Sequence, residues 1–468
     1  MNEMKHSVLI LVAVFSVLLC GCGKDDPVVE DYIASVTVRA TGNALRYEVA
    51  VGFRKDCDFR VSYWKTADPS EVMTTSTAAS EGGRGTKTLM FLYPETEYAF
   101  RVEVSISDGA LGTEPVTFTT AAIPPEVPAY KVAVDNGCPE IEGYLMQFQA
   151  TSPGYVTFCD LEGNVVWYEQ VPEAVRQAWF SPERNEIAMN IGFGKGDGGD
   201  FQRIADRFLV IGLDGRVILD TPCGSATVEN PHHEIKILPD GNLLILHNVV
   251  KTMDLTSLGG GSAVPVYGEG FVVTDRNWRV LKSWDMFDHV DILADNSLDP
   301  VRFCNDLVHA NSVDFDAEGN AYMTLNRLSE LWKIDGKTGE ILYRFGEKGD
   351  IALDGKFPVG GLHSAVVLAP DKVLCFNNGR GAQPSRGLIV EVDPASRKAR
   401  YALDIAIPLE YSSINRGNVT LIGDGSMLLF GSTVGKAGVI TDLKGSVLKV
   451  ITREGMSYRT YWFHRIEY

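Results

Sequence analysis

A doublet of hairpins recurs along most of the chain and limits the fold more than any other feature. One kind is a strand, a turn of Asp, Gly or similar residues, and a second apolar strand. It occurs at Tyr155 to Tyr168 around Gly163, Phe208 to Asp220 around Gly215, Phe271 to Trp284 around Asn277, Leu331 to Phe345 around Gly339, Leu388 to Leu403 around Ala395, and Gly438 to Ile451 around Gly445. The other kind lies between these copies, at Glu234 to His247, Asn311 to Leu325, Ala365 to Asn377 and Val419 to Gly431, with weaker versions at Val175 to Asn190 and Lys131 to Gln147. Six of each give six four-stranded units at a period of roughly 50 to 60 residues. Four-stranded sheets packed radially bury both faces and leave no long free edge. The expected fold is therefore all-β, with a six-bladed β-propeller over 129–468 whose last stretch, Tyr458 to Arg465, returns to close the ring. Two stacked sandwiches are the rival arrangement, and the regular doublet argues against them.

The segment 32–122 has a different rhythm. Short alternating runs such as Ala34 to Arg39, Arg46 to Val51 and Arg60 to Trp64 are separated by Gly, Asp and Ser turns, which reads as a β-sandwich. Leu92-Tyr93-Pro94-Glu95-Thr96-Glu97-Tyr98 resembles the tyrosine corner of fibronectin type III domains, so an immunoglobulin/fibronectin III-like sandwich is expected. Trp64 is its expected buried aromatic, and Phe118-Thr119-Thr120 its last strand. Ile123-Pro124-Pro125-Glu126-Val127-Pro128 then forms a stiff linker.

The amino terminus reads as an address. Lys5 and His6 precede an apolar run from Val8 to Leu19, too short to span a bilayer and suited to the hydrophobic part of a secretory signal over 1–21. Leu19-Cys20-Gly21-Cys22 resembles a bacterial lipobox, with Cys22 as the better lipidation site because Gly21 precedes it. The acidic tether 22–31 contains Gly23-Lys24-Asp25-Asp26, similar to the signal that takes lipoproteins of the Bacteroidetes to the cell surface. These features imply a membrane partner through a lipid anchor and an outer-membrane lipoprotein, at the periplasmic face or the cell surface. The alternative is a plain secretory peptide followed by a solvated tail. Lys and Arg number 43 against 61 Asp and Glu, a formal charge of −18, which disfavours nucleic acid as a partner and still allows an anionic small substrate. The remaining Cys57, Cys138, Cys159, Cys223, Cys304 and Cys375 form no CxxC pair; buried free thiols are the expectation for most.

Seven His follow the signal, and four of them begin the first hairpin of a unit: His232, His233, His309 and His363. The first strand of each propeller blade lines the central channel, so these imidazoles should converge at one mouth of it. His309 and Asn311 are two apart and share a face of their strand. Arg327 begins the next hairpin and can reach the same mouth, where a guanidinium beside imidazoles suits an oxyanion. His247, His289 and His464 lie off the pattern and are read as structural.

Asn230-Pro231-His232-His233-Glu234, His309-Ala310-Asn311-Ser312, Asn326-Arg327, Gly361-Leu362-His363-Ser364-Ala365 and Phe376-Asn377-Asn378-Gly379 together resemble the bacterial aryl-sulfate sulfotransferases. The resemblance covers essentially the mature chain. It implies transfer of a sulfuryl group from an aryl sulfate donor to a phenolic acceptor, without a nucleotide and without a cofactor. It matches His363 to the nucleophile that forms an N-sulfohistidine, and His309, Arg327 and Asn311 to the sulfuryl-binding set. One of His232 and His233 would be the acid and base for the two phenols; the hairpin alignment favours His232 and the neighbouring acidic residue favours His233. Departures are the absence of a Cys pair near His363 and a short Gly379-Arg380-Gly381 loop.

Two other classes fit the same residues. Converging imidazoles suit a divalent metal, hence a metal-dependent propeller lyase or hydrolase with Glu234 or Asp306 as the near carboxylate. A non-catalytic surface lipoprotein that binds a glycan or partner through its sandwich is the third. A homodimer is compatible with all three, and no sequence feature fixes it.

Overall fold

The computed structural model describes all residues except 1–26, 108, 193–204, 226, 227, 229, 358, 432–437, 456, 465 and 467. The lipobox with Cys22 and the Lys24-Asp25-Asp26 signal lie outside the described residues. The chain divides into two compact units, one holding the residues up to Val127 with Asn164–Glu169 and Arg465–Tyr468, the other Pro128–Gly163 and Gln170–His464.

The first unit contains the sandwich. Ile33–Ala40, Tyr47–Phe53 and Arg84–Leu89 form one sheet; Asp68–Thr74, Asp58–Lys65, Glu97–Ile106 and Gly109–Gly112 form the other, joined by Ala78–Ala79 and Val116–Thr119. Alternation sends Phe59, Val61 and Tyr63 inward, where they pack with Tyr98, Phe100 and Phe118. The buried aromatic of that strand is thus Tyr63; Trp64 points to the other face and is half-buried, with Arg101 over its ring. Tyr98 makes the corner: its hydroxyl accepts from the Tyr93 backbone N–H at 2.9 Å.

The second unit is built around six sheets. Blade 2 is Val175–Ser181, Glu186–Ile191, Arg207–Gly212 and Val217–Pro222; blade 3 is Pro231–Ile237, Leu243–Met253, Val264–Thr274 and Val280–Asp285. Blade 4 is Ala310–Phe315, Ala321–Leu325, Glu330–Ile334 and Ile341–Phe345; blade 5 is Leu362–Ala369, Lys372–Asn377, Arg386–Asp393 and Lys398–Ala406, with Ala352–Leu353 added outside. Blade 6 begins with Asn418–Ile422, Met427–Gly431, Gly438–Asp442 and Val447–Arg453. The first strand of each blade packs on the next blade around the ring, and apolar clusters fill the gaps between blades, as with Leu246, Val313, Met323 and Trp332 between blades 3 and 4.

Both ends of the unit close this ring. Tyr130–Asp135 pairs with Val447–Arg453 as the outermost strand of blade 6, and Thr460–Phe463 pairs with Tyr144–Phe148 as the innermost strand of blade 1. The second pairing is the closure expected of the last stretch. The first corrects the hairpin expected over Lys131 to Gln147: its two strands belong to different blades, because the first is needed to cover the edge of blade 6. Among the described residues no cysteine forms a disulfide; Cys159, Cys223 and Cys375 are buried, and Cys57, Cys138 and Cys304 are half-buried. Among the described residues no helix is long and apolar enough to cross a membrane.

A chain ended after Arg459 would lose the inner strand of blade 1 and leave Tyr144–Phe148 as an open edge. Its melting midpoint should fall by at least about 5 °C relative to the full chain, the effect of a loss of a few kcal/mol in a unit of this size. Scanning calorimetry of the two chains checks this, and equal midpoints would show that the clasp contributes nothing.

Candidate active site

The inner strands of blades 3, 4 and 5 are interrupted at the same place. Pairing slips between Pro231 and Ile235, between Ala310 and Ser312, and between His363 and Val366. Beside each slip one residue other than glycine is left-handed: His233 at φ 50°, His309 at φ 54° and Ser364 at φ 49°. A bulge adds a residue to one strand and re-aims its side chains. Each such backbone costs on the order of 1 kcal/mol and persists where its surroundings over-determine it. Strain is thus concentrated where three successive blades present imidazoles. The loop carrying Asn326 and Arg327 sits directly on the start of the blade 5 strand; a Cβ at Gly361 would meet the Asn326 side chain and push it aside.

The structure brings the four predicted imidazoles together. The His233 ring lies 4.9 Å from that of His232, 5.1 Å from that of His309 and 5.5 Å from that of Tyr458. Tyr458 also borders His363, with ring centres 6.4 Å apart. Arg327 joins through Asp306: its Nη2 donates to Asp306 Oδ2 at 2.5 Å and its Nε to the Asp306 carbonyl at 2.8 Å. His309 Nδ1 donates to the same Oδ2 at 2.9 Å, and the guanidinium lies 4.2 Å from the Phe303 ring centre. Asn311, fully buried, donates from Nδ2 to the Leu362 carbonyl at 3.1 Å and accepts from Thr324 at 2.7 Å, which braces the His363 strand.

Every carboxylate near the cluster is taken. Glu234 accepts from Arg459 Nη1 at 2.9 and 2.8 Å and from Gln177 at 3.2 Å. Glu269 accepts from His232 Nε2 at 2.9 Å. For Asp306, burial pushes the carboxyl up, and the hydrogen bond and charge of His309 with the charge of Arg327 outweigh it, leaving the group below the usual range. Among the described residues no group of three or more His, Cys, Asp or Glu is arranged to hold a metal ion. Both ring nitrogens of His232 and Nδ1 of His309 take part in hydrogen bonds.

His363 and His233 are held neutral. Burial, then His309, then Arg459, push His363 well below the ordinary imidazole value, and its enclosed Nδ1 has no hydrogen-bond partner. Burial pushes His233 down in the same way, aided by His232, His309, His363 and Arg459. His247, off the cluster, falls to about 4 through burial and the nearby His232. His289 lies flat against Trp284.

Sequence reasoning missed Glu269, Arg459 and Tyr458 as members of the site. Tyr458 and Arg459 were visible only as the start of the closing stretch. Glu269 sits on the third strand of its blade, and no motif marks it. The arrangement suits attack by a neutral imidazole on an electrophile whose anionic oxygens face a guanidinium and imidazole N–H groups.

The family model described as Arylsulfotransferase (ASST) matches residues 131–406, more than half of the chain. No curated protein matches the sequence. Among solved structures, the chain is similar to a protein of unknown function from Bacteroides caccae at 12% identity, covering 69% of this chain and 100% of that one, with a TM-score of 0.44. It is also similar to YCF48 from Cyanidioschyzon merolae at 11% identity, with 72% and 98% covered and a TM-score of 0.36. The WD40 domain of Toxoplasma gondii coronin matches at 10% identity, with 69% and 84% covered and a TM-score of 0.36.

Because His363 resists protonation in the fold, the unfolded chain takes up a proton near pH 6.5 that the native protein refuses. This stability is complete above 6.5 and is lost as pH falls below that value. His363→Phe should flatten the acid side of the stability curve by up to one proton, about 1.4 kcal/mol per pH unit. Urea unfolding at a series of pH values reads this slope; an unchanged slope would mean that His363 titrates freely in the fold.

Proposed function

Since this chain belongs to the arylsulfotransferase family, we propose that it moves a sulfuryl group from a phenolic sulfate ester to a second phenol, in two half-reactions, with no nucleotide donor. The observation that carries the reading is His363, a buried neutral imidazole with an unpartnered nitrogen, bordered by Tyr458 and within the field of His309. In the first half-reaction a lone pair of His363 forms an N–S bond while the bond from sulfur to the aryl oxygen breaks. The phenolate leaves with the electron pair and is protonated by solvent. In the second, another phenol gives its proton to His233 and its oxygen attacks sulfur, which returns the electron pair to His363. The N-sulfoimidazolium is a good leaving group, so one difficult step becomes two easier ones.

Sulfuryl transfer places negative charge on peripheral oxygens and on the departing phenolate, so preset donors supply most of the catalysis. Arg327, locked by Asp306 and Phe303, and His309, aligned by the same carboxylate, are such donors. Asn311 acts one layer back by bracing the strand of His363. His233 rather than His232 is the base for the acceptor phenol, because its ring borders His309 and Tyr458 while both nitrogens of His232 are hydrogen-bonded.

Turnover of an aryl sulfate with a phenol acceptor should survive a chelator, and His363→Ala should lower it by at least about 1,000-fold, as expected when a nucleophile is removed. Arg327→Ala should lower kcat by about 100-fold or more. Mass spectrometry of quenched protein should find a sulfo group on the peptide bearing His363. Loss of activity with chelator would favour the metal enzyme instead, and no turnover at all would favour a binding protein.

The chain is further proposed to be an outer-membrane lipoprotein anchored through Cys22, a reading that rests on Gly21-Cys22 and the apolar run before it. Cys22→Ser should move the protein from the membrane to the soluble fraction of cells. Equal membrane recovery of both forms would remove the anchor.

A further inference from the structure

Resting on that reading, we propose that Glu269 and His232 form a buried relay that fixes the tautomer of His233 and makes it the base for the acceptor phenol. Glu269 belongs to Val264–Thr274, the third strand of blade 3, and is fully enclosed. Blade 4 holds one of its oxygens, because the Ala310 backbone N–H donates to Oε1 at 2.9 Å. The other oxygen faces His232 Nε2 at 2.9 Å, with Asn248 Nδ2 at 3.4 Å. A carboxylate oxygen accepts, so the contact assigns the proton of His232 to Nε2.

The assignment then propagates. A neutral His232 with its proton on Nε2 has a lone pair on Nδ1, and that atom lies 2.8 Å from His233 Nδ1. Two lone pairs cannot face each other at that distance, so His233 donates from Nδ1 and carries its own lone pair on Nε2. The reverse order would set an unprotonated His232 Nε2 against the Glu269 oxygen, acceptor against acceptor. When the acceptor phenol gives its proton to His233 Nε2, the new positive charge is shared along the hydrogen bonds toward Glu269. His233 Nε2 then releases the proton to solvent and regains its lone pair. Glu269 and His232 touch no reacting atom and are positioning residues; together they do for His233 what a carboxylate does for the histidine of a hydrolase triad.

Glu269→Gln presents an amide N–H to His232 Nε2, which reverses both tautomers and puts the His233 proton where the lone pair was needed. Transfer is measured to a series of phenols of rising pKa from one activated donor. The variant should lose about 100-fold with an alkaline phenol and less than about 5-fold with an acidic nitrophenol that arrives ionised, since only the first needs a base. An equal loss across the series would show a merely structural role and overturn the relay. Nitrogen-15 NMR of the histidines in the unmutated protein decides independently of folding in the variant. A His233 proton on Nδ1 supports the relay, and one on Nε2 overturns it. If the unmutated protein transfers no sulfuryl group at all, the sulfotransferase reading fails, while the NMR result still judges the relay.

Discussion

A fully buried ion pair between Arg459 and Glu234 is the contact on which the rest of the propeller's site depends. Arg459 immediately precedes the strand that closes the ring, and Glu234 immediately follows His233 on blade 3. The same guanidinium donates to the Asn311 carbonyl of blade 4 at 2.5 Å and to the Tyr461 hydroxyl at 3.2 Å. Closing the ring and setting the imidazole strands are therefore one event. Taking two charges out of water is costly, and a pair of this kind holds only when further hydrogen bonds satisfy both ions. Gln177 on Glu234, and Asn311 and Tyr461 on Arg459, supply them for every atom but Arg459 Nε. Below this pair, Lys236 donates to Asp314 at 3.1 Å and to the Val313 carbonyl at 3.0 Å, which extends the alternation of charge along the channel wall.

Along that wall the carboxylates are met one by one, although the chain carries a formal charge of −18. Glu234, Glu269 and Asp306 are each committed to a cation or an imidazole, so none faces the cluster unpaired. The cations are Arg327, paired with Asp306, and Arg459, paired with Glu234; Arg459 also holds down the proton affinity of His363 and His233. Burial and the Arg459 charge act in the same direction on His363 and His233, so both imidazoles are held neutral. Partnered carboxylates and neutral imidazoles are made by one set of contacts.

The propeller was legible in the sequence because its hairpins are punctuated by Gly and Asp turns that mark every blade. The imidazoles were legible because His232, His233, His309 and His363 stand at equivalent points of that repeat. What escaped was whatever depends on long-range pairing. Lys131 and Gln147 are near in sequence and belong to blades at opposite ends of the chain; nothing local tells a strand that its partner lies over 300 residues away. Tyr63 and Trp64 are adjacent and differ only in which face of the sheet they take, a register that core packing decides. The choice between His232 and His233 needed a bulge with a left-handed residue, and His is not a residue from which that backbone can be foreseen.

The three bulged strands all deliver their imidazoles from the same end, where the connections entering the first strand and leaving the second are found. Two of those connections show the range: Asn326 to Ser329 is a tight turn within blade 4, whereas Met286 to His309, which leads into blade 4, is long and carries Phe303. Ring and rim are thus joined through the same ion pair. Exchanging either loop would leave the imidazoles on their strands and remove the guanidinium of Arg327 or the carboxylate of Asp306, so the loops carry part of the site that the blades alone do not.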